Sequence, residues 1–319
     1  MRRASVLIVL MGFVAGIAQD AATNDGAVET YGNFKLEWQT FVTEAPAVSF
    51  APKGNELWYA TASGLGVIDL KTGETQTHEK LGEISSSGVH SMCVDQNGKV
   101  WIGSSNGVAV HSGGVFTNYT TESGLPHIVV NVLVPTATSV WAGTENGAAE
   151  YKGGKWTAYG TAEGLAGEKV RDIVIDGSGT VWFGTDKGIS EFDGTTWTTH
   201  DMNSGLSWND TKALGYDPRK EMVWAAVGDA DVNAYDGKEW RTFMTVQEGI
   251  ASIMVDTQSR VWFGYPQGVL KYNGFEWVYD NKKIGFPATQ VQEMYRDEAG
   301  NLWFAMGTGV LKLKNPYPF

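Results

Sequence analysis

A tryptophan recurs along this chain at intervals of about forty residues, each time at the head of a short run of β-branched or small residues. The seven positions are Trp58, Trp101, Trp141, Trp182, Trp224, Trp262 and Trp303. Successive gaps are 43, 40, 41, 42, 38 and 41 residues. A unit of this length is too small to bury its own faces, so neighbouring units must stack on one another. The spacing predicts a closed ring of seven four-stranded blades, a β-propeller.

Each repeat has room for four short strands and three turns. In the fourth repeat an apolar stretch at 170–175 precedes an Asp-Gly-Ser-Gly turn at 176–179, whose Asp side chain can bond the backbone two residues on. Strands at 181–185, 189–192 and 196–199 follow, separated by Asp-Lys-Gly and Asp-Gly turns. Aromatic residues also recur in the outer strands, so eleven of the thirteen tryptophans fall on two repeat positions. We therefore assign these tryptophans to packing between blades in an all-β fold.

The two ends of the repeat region complement each other. Residues 33–41 have the pattern of an outer strand with no strand before it, whereas the last repeat ends after its third strand, at 310–313. We predict that the N-terminal segment supplies the missing strand, which hides an exposed edge. The predicted fold is a seven-bladed β-propeller of four-stranded antiparallel blades, closed by the N-terminal strand in the last blade.

The first thirty residues differ from the rest of the chain. Residues 1–18 combine two arginines, an apolar stretch and small residues before Gln19, which is the pattern of a signal peptide. Residues 19–30 are small and polar and are expected to form a flexible leader, and residues 31–319 are expected to form one propeller domain. The expected protein is exported, periplasmic or secreted, without stable membrane insertion after cleavage.

Charge and chemistry argue against several classes of function. The formal net charge of −12 disfavours nucleic acid and anionic membrane surfaces as partners. The single cysteine, Cys93, lies in an apolar inner strand and is interpreted as a small buried residue without a disulfide partner. The histidines lack metal-ligand spacing, and no Ser or Cys stands in a nucleophile motif. The sequence therefore predicts no metal, no cofactor and no catalytic residues.

Residues 165–189 resemble the two-component regulator propeller repeat, through Val-Arg-Asp-Ile-Val-Ile-Asp-Gly-Ser-Gly-Thr-Val-Trp-Phe-Gly-Thr-Asp-Lys-Gly-Ile. Looser copies occur at 125–147 and 285–309. In that family the propeller usually forms the extracytoplasmic sensor of a hybrid histidine kinase. The kinase and membrane domains of that family are not among these 319 residues. The resemblance therefore implies sensor-like binding of a ligand or partner, and not signalling within the chain.

One mouth of the channel is expected to carry polar side chains from the inner strands. In propellers the lead-in loops before the inner strands and the turns between second and third strands gather on one face. Alignment of the inner strands on their turns places seven polar residues there: His90, Asn131, Arg171, Asp172, Lys212, Gln292 and Glu293. Such a ring suits a small polar or zwitterionic ligand. The alternative is that these residues only line a hydrated channel.

Trp208 lies outside the repeat positions, on the lead-in loop of the fifth blade beside Asn209 and Asp210. An exposed indole there suits stacking against a sugar or a peptide side chain. The alternative is that it caps the top of its blade. Weaker candidates on the same face are His127, Glu168, Lys169, Tyr265 and Met306.

The sequence leaves three functions open. The preferred one is an exported, non-catalytic binding propeller that recognises a small polar ligand or peptide at the channel mouth. The second is an interaction platform for another exported protein, which the acidic surface suits as well. The third is an enzyme resembling streptogramin B lyase, a seven-bladed propeller with somewhat similar repeats. That function would need His90 paired with Glu293 or Asp172 beside a bound magnesium ion.

Overall fold

Seven antiparallel sheets form a closed ring. The structure is a computed structural model, and it describes residues 24–31, 34–78, 80–82, 84–85, 88–245, 249–279, 286 and 289–314. The innermost strands of neighbouring sheets contact one another from the first blade round to the seventh and back to the first. The predicted seven-bladed β-propeller is therefore confirmed.

The strands are numbered in chain order. The N-terminal pair and blade one comprise β1 (Asn24–Tyr31), β2 (Phe34–Val42), β3 (Ala47–Lys53), β4 (Glu56–Thr61), β5 (Gly64–Asp69) and β6 (Thr75–His78). A small hairpin and blade two comprise β7 (Lys80–Leu81), β8 (Ile84–Ser85), β9 (Val89–Val94), β10 (Val100–Ser104), β11 (Gly107–Ser112) and β12 (Val115–Tyr119). Blades three and four comprise β13 (Val130–Pro135), β14 (Val140–Thr144), β15 (Gly147–Lys152), β16 (Lys155–Tyr159), β17 (Val170–Ile175), β18 (Val181–Thr185), β19 (Gly188–Phe192) and β20 (Trp197–His200).

The remaining blades follow the same plan. Blades five and six comprise β21 (Thr211–Asp217), β22 (Met222–Val227), β23 (Asp231–Tyr235), β24 (Trp240–Thr245), β25 (Ser252–Val255), β26 (Val261–Tyr265), β27 (Gly268–Tyr272) and β28 (Trp277–Tyr279). Blade seven adds β29 (Val291–Arg296), β30 (Leu302–Met306) and β31 (Gly309–Leu313). Single 3-10 turns at Thr121–Ser123 and Met202–Ser204 precede blades three and five. Within the described ranges, no helix is long and apolar enough to cross a membrane.

The N-terminal segment closes the seventh blade, as predicted. β2 pairs antiparallel with β31, with Trp38 opposite Leu313 and Val42 opposite Gly309. Trp38 packs edge to face against Phe286, with 5.8 Å between ring centroids. The two ends of the repeat region are therefore joined in one sheet.

β1 adds a fifth strand to the outside of the seventh blade, where it pairs antiparallel with β2. Its residues, Asn24–Tyr31, include part of the segment expected to form the leader. The sequence did not indicate this pairing. The predicted signal peptide, residues 1–18, lies outside the described residues, and the boundaries of the peptide and leader stay predictions.

A hydrogen bond between turn and strand fixes the first hairpin of several blades. Asp176 Oδ1 accepts the backbone N–H groups of Ser178 and Thr180 at 2.9 and 3.0 Å, and its Oδ2 accepts the indole N–H of Trp182 at 3.1 Å. The same indole bond across six residues forms in the pairs Asp95–Trp101, Asp256–Trp262 and Asp297–Trp303. All seven inner tryptophans are at most 3% exposed, so their assignment to packing is confirmed.

The fifth blade departs from this pattern because its turn is one residue longer. Asp217 stands seven residues before Trp224, and its Oδ1 accepts the N–H of Arg219 at 3.0 Å and the hydroxyl of Ser259 at 2.8 Å. In the described part of the chain, Asp217 Oδ2 and Trp224 Nε1 are buried without a hydrogen-bond partner. An unpaired buried donor costs about 1–3 kcal/mol. The extra residue thus removes the indole bond from this blade.

The hydrophobic core lies between the blades. Trp141 of blade three packs edge to face against Phe183 of blade four, with 5.3 Å between centroids. A glycine two residues after the tryptophan lets the next blade approach closely. A Cβ atom at Gly143 would lie 2.6 Å from side-chain atoms of Val132 and Val170. The Trp-x-Gly pattern of the repeat therefore serves the packing of adjacent sheets.

Candidate ligand-binding face

The lead-in loops and the turns between second and third strands meet on one face, as expected. In blade four the N–H of Asp186, in the turn, donates to the carbonyl oxygen of Lys169, in the loop, at 3.1 Å. In blade five Gly228 donates to the carbonyl oxygen of Asp210 at 2.7 Å. The other turns of each blade lie at the opposite end because antiparallel strands alternate in direction. We call these ends the lead-in face and the opposite face.

Six of the seven inner strands contain a β-bulge near the lead-in face. In β17, Val170 opposes Thr185 and Asp172 opposes Gly184, which leaves Arg171 without a partner on β18. The residues left over in the same way are Val48, His90, Asn131, Lys212 and Gln292. Bulges re-aim side chains and recur beside functional sites. The sequence alignment selected two adjacent positions in each inner strand. His90, Arg171, Lys212 and Gln292 stand at the first of them, and Val48 and Asn131 stand at the second.

The position after the bulge residue lies between neighbouring blades, and Ser252 takes this position in blade six, where the inner strand has no bulge. Asp172 Oδ2 accepts the N–H of Leu214, in the next inner strand, at 2.7 Å. Glu293 Oε2 accepts the N–H of Phe50 at 3.1 Å, which joins blades seven and one. Serines at this position form equivalent bonds in the pairs Ser91–Leu133 and Ser252–Met294. The structure thus places the carboxyl groups of Asp172 and Glu293 between blades, and not free at the mouth as expected.

Burial changes the protonation of these two carboxyl groups. Loss of hydration raises the pKa of Asp172 to about 6, although the N–H groups of Leu214 and Ile173 oppose the rise. Loss of hydration also raises the pKa of Glu293 to about 8, with a further increase from the charge of Asp172. Glu293 is therefore mostly uncharged at neutral pH. Burial likewise raises the pKa of the free thiol of Cys93.

Arg171 and Lys212, from adjacent blades, share one carboxylate at the mouth. Arg171 donates from Nε and Nη2 to Asp210 Oδ1 at 3.1 and 2.7 Å, and Lys212 Nζ donates to Asp210 Oδ2. Loss of hydration opposes ionisation of Asp210, but the bonds from Lys212 and Arg171 hold its pKa below the usual value. The side chains of Arg171, Lys212 and Asp210 are 25%, 32% and 36% exposed. The charged group is therefore accessible to solvent.

A second ion pair lies between blades three and four. Lys169 Nζ and Glu145 Oε1 are 2.8 Å apart. Loss of hydration opposes ionisation of Glu145, but hydrogen bonds from Lys169 and Asn131 hold its pKa below the usual value. Asn131 Nδ2 also donates to the carbonyl oxygen of Val170 at 2.9 Å. Asn131 thus connects the two blades at the mouth.

His90 and Gln292 stand apart from these charged groups. His90 is exposed, and its Nε2 lies 2.8 Å from Ser105 Oγ in the same blade. Gln292 is half-buried, and its side chain forms no hydrogen bond with any described residue. His90 pairs with neither Asp172 nor Glu293 in the part of the chain that the structure describes, so the pair required for a lyase-like site is not formed. That part also contains no group of three or more His, Cys, Asp or Glu side chains that could hold a metal.

Trp208 is 55% exposed on the lead-in loop of blade five. Its indole lies against Gly228, where a Cβ atom would be 2.8 Å from the indole Cδ1. Gly228 has a φ of +62°, which favours glycine. Asn209 Oδ1 accepts the N–H of Met202 at 2.8 Å and so ties the loop to the preceding 3-10 turn. The loop holds Trp208 two residues from Asp210.

The charged groups occupy one side of the mouth. At the corresponding positions, blades six, seven and one carry the uncharged residues Ala251, Gln292 and Val48. We call the charged and aromatic side the polar crescent, which comprises Asn131, Glu145, Lys169, Arg171, Trp208, Asp210 and Lys212. Glu145 and Asp210 were absent from the sequence-based set, and Lys169 was only a weaker candidate. Proximity of Asp210 to Trp208 in the loop was the one sequence signal that could have found it.

Open clefts lie on the opposite face. One, of about 820 Å³, is formed by the turns of blades one, two, three and seven and includes Lys53, Tyr295 and Glu298. Another, of about 590 Å³, lies between blades three and four and includes Thr136 and Lys152. None of the residues predicted at the mouth lines either cleft. The opposite face therefore offers concave surfaces of its own.

The sequence profile described as two-component regulator propeller matches residues 83–106 and 164–187. Each matched segment contains an inner strand, β9 or β17, and the following strand with its buried tryptophan, Trp101 or Trp182. The second match overlaps residues 165–189, the repeat whose sequence resembles this family. The matched segments thus correspond to structural repeats of the ring.

Solved structures with the same architecture include extracellular domains of two bacterial signalling systems. The extracellular domain of the one-component system BT4673 from B. thetaiotaomicron has a TM-score of 0.73 and 17% identity, covering 87% of this chain and 39% of that chain. For the hybrid two-component system BT3049 from the same organism, the TM-score is 0.72 and the identity 19%, covering 89% and 42%. The chain therefore spans about two fifths of the length of these domains.

Streptogramin B lyase is also similar in structure. Its TM-score is 0.68 at 13% identity, covering 87% of this chain and 97% of the lyase. No curated protein is detectably similar to the sequence. At these identities the structural likeness establishes the fold alone, whereas the profile establishes the type of repeat. The chain is a seven-bladed propeller, and two of its repeats match the two-component regulator propeller profile.

Proposed function

We propose that this protein is an exported, non-catalytic binding propeller, sensor-like, that recognises a small polar ligand or peptide on its lead-in face. The polar crescent carries the proposal. It combines accessible cations from adjacent blades with an exposed indole on a rigid ring. The repeat type and the fold shared with extracellular domains of signalling systems support a sensor-like role outside the cytoplasm.

The crescent provides the interactions that such recognition needs. A planar guanidinium and an ammonium group supply several charged hydrogen-bond donors at the bulged positions. The indole of Trp208 supplies a large apolar surface at low entropic cost, because the loop and Gly228 already limit its position. Polar donors beside an aromatic platform suit sugars, amino acids and short peptides.

A thermal-shift screen of residues 19–319 against sugars, amino acids, short peptides and divalent metals tests this proposal. A ligand that binds only the folded state raises the unfolding midpoint by mass action. Arg171→Ala and Trp208→Ala should abolish the rise. The matched controls are Arg241→Ala and Phe275→Ala. Arg241 lies on the outer strand of blade five with its side chain 61% exposed, and Phe275 lies at the tip of a hairpin in blade six and is 96% exposed. A rise that all four variants retain, or no rise with any compound, would contradict the proposal.

An interaction platform for another exported protein is the second candidate, because the opposite face has both open clefts and the 96% exposed Phe275. An exposed aromatic side chain and concave surfaces on the same face are both features of protein-binding sites. Affinity capture from the exported fraction distinguishes the two functions. A platform on this face should lose a captured protein with Phe275→Ala and retain it with Arg171→Ala. The reverse result would favour the lead-in face.

A further inference from the structure

The following inference rests on the proposed function and specifies the class of ligand. We propose that the ligand presents a carboxylate to Arg171 and Lys212, where it replaces the Asp210 carboxylate of the unliganded protein.

The charges at the bulge positions favour an anionic group. The six bulge residues are cationic, neutral or, at His90, weakly basic, and none is Asp or Glu. This contrasts with the formal net charge of −12 of the whole chain. The side chains re-aimed by the bulges therefore form a locally positive site on an acidic protein. Such a site attracts a compact anion over short distances.

The geometry of Asp210 resembles that of a bound carboxylate. Two nitrogens of Arg171 donate to one oxygen, and Lys212 donates to the other. The cations belong to two inner strands, whereas Asp210 belongs to a loop whose backbone is held by Gly228. Rotation of the Asp210 side chain alone can therefore release both cations. Nη1 of Arg171 forms no hydrogen bond with any described residue. An incoming carboxylate can therefore engage Arg171 before Asp210 leaves.

The other acidic residue of the crescent does not compete for these cations through a direct bond. Glu145 Oε1 lies 2.8 Å from Lys169 Nζ. This pair leaves Arg171 and Lys212 with a single carboxylate between them, that of Asp210. The positive charge of the site consequently exceeds its negative charge, and removal of Asp210 should expose two cations at once.

Isothermal titration calorimetry at low ionic strength with matched probes tests the inference. One pair is D-glucuronate and D-glucose, and the other is Ala-Ala-Ala and its C-terminal amide. The two pairs separate a sugar carboxylate from a peptide carboxylate. The variant is Asp210→Asn, which keeps the side-chain size and removes the competing charge. The matched control is Asp236→Asn, because Asp236 pairs with Arg241 at 3.5 Å on the opposite side of the same blade.

We expect Asp210→Asn to bind the acidic probe of at least one pair about tenfold more tightly than the unmodified protein, since one charge-assisted competitor is removed. Binding of the neutral probes should not improve. Asp236→Asn should behave like the unmodified protein. Addition of Arg171→Gln to Asp210→Asn should abolish the gain. In the protein that retains Asp210, Lys212→Gln should lower the acidic-to-neutral affinity ratio, which provides a test independent of Asp210→Asn folding.

Three results would overturn the carboxylate assignment. They are unchanged acidic-to-neutral ratios in Asp210→Asn, an equal gain in Asp236→Asn, and no binding of the acidic probes to any variant. If a neutral compound from the thermal-shift screen still required Trp208, the proposed binding function would stand and only the ligand class would be wrong. If no compound bound to the lead-in face, the proposed function itself would fail.

Discussion

Two tryptophans at the same repeat position differ in one hydrogen bond, which allows that bond to be measured. Trp182 Nε1 donates to Asp176 Oδ2 at 3.1 Å, whereas Trp224 Nε1 is buried and has no hydrogen-bond partner among the residues that the structure describes. The two side chains are 3% and 1% exposed, so their burial is nearly equal. Trp182→Phe and Trp224→Phe each remove the indole N–H and reduce the ring by a similar area. The difference between their effects therefore reports mainly on the hydrogen bond.

The expected magnitude follows from the two environments. Trp182→Phe removes a hydrogen bond to an ionised carboxylate, which contributes about 1.5–3 kcal/mol to the free energy of unfolding. Trp224→Phe removes an unpaired buried donor, which relieves part of a penalty of about 1–3 kcal/mol. Both changes also lose packing area at about 25 cal/mol/Å², and this loss largely cancels in the comparison. Trp182→Phe should therefore destabilise the protein by at least about 2 kcal/mol more than Trp224→Phe.

Equilibrium urea unfolding followed by far-ultraviolet circular dichroism provides the measurement, because tryptophan fluorescence changes with the substitution itself. Trp101→Phe serves as a replicate, since Trp101 Nε1 donates to Asp95 Oδ2 at 2.9 Å. It should group with Trp182→Phe. Equal losses for Trp224→Phe and the two bonded tryptophans would refute the argument that the turn-to-strand bond stabilises each blade.

Two further predictions concern the candidate site and the hydrogen bonds that join the inner strands of neighbouring blades. Gly228→Ala should lower the free energy of unfolding by about 1 kcal/mol or more, because the new Cβ atom meets the indole of Trp208. It should also weaken any ligand binding that needs Trp208. Urea unfolding measures the first effect and calorimetry the second. Gly237→Ala is the control, with a φ of +85° and no atom within 4 Å of the new Cβ, so it should reduce stability without affecting ligand binding. Glu293 has a folded-state pKa of about 8, above its ordinary 4.5, so its contribution to stability is full below about pH 4.5 and is lost as the pH rises through about 8. Glu293→Gln should remove this pH-dependent loss of stability, which amounts to at most about 5 kcal/mol, when unfolding is measured between pH 5 and 8. Glu298 is exposed, so Glu298→Gln should show the same loss as the unmodified protein. An unchanged pH profile in Glu293→Gln would contradict the burial argument.

Local pattern was sufficient to place part of the candidate site. Arg171 and Lys212 could be assigned to the mouth because the offset between the turn and the tryptophan sets the register of each inner strand. The same alignment misplaced Asp172 and Glu293, since it treated two adjacent positions as equivalent. Strand side chains alternate with a period of two, and the bulge adds one residue to that count. Serine recurs beside these positions, as Ser91 and Ser252, and this recurrence was a sequence signal for a hydrogen bond to the next inner strand.

The sequence by itself determined the ring and its packing. A forty-residue period with a tryptophan in each unit specifies stacked blades, because no single unit can bury its faces alone. The closing strand followed from the number of strands in each repeat, since the last blade lacked its fourth strand. The tertiary structure alone decided which charges meet. Asp210 reaches Arg171 across a blade boundary, 39 residues away in the chain, and the neighbouring repeats must already be stacked for that contact to exist. Local residue patterns set strands and turns, whereas the chemistry of the mouth depends on how adjacent blades stack.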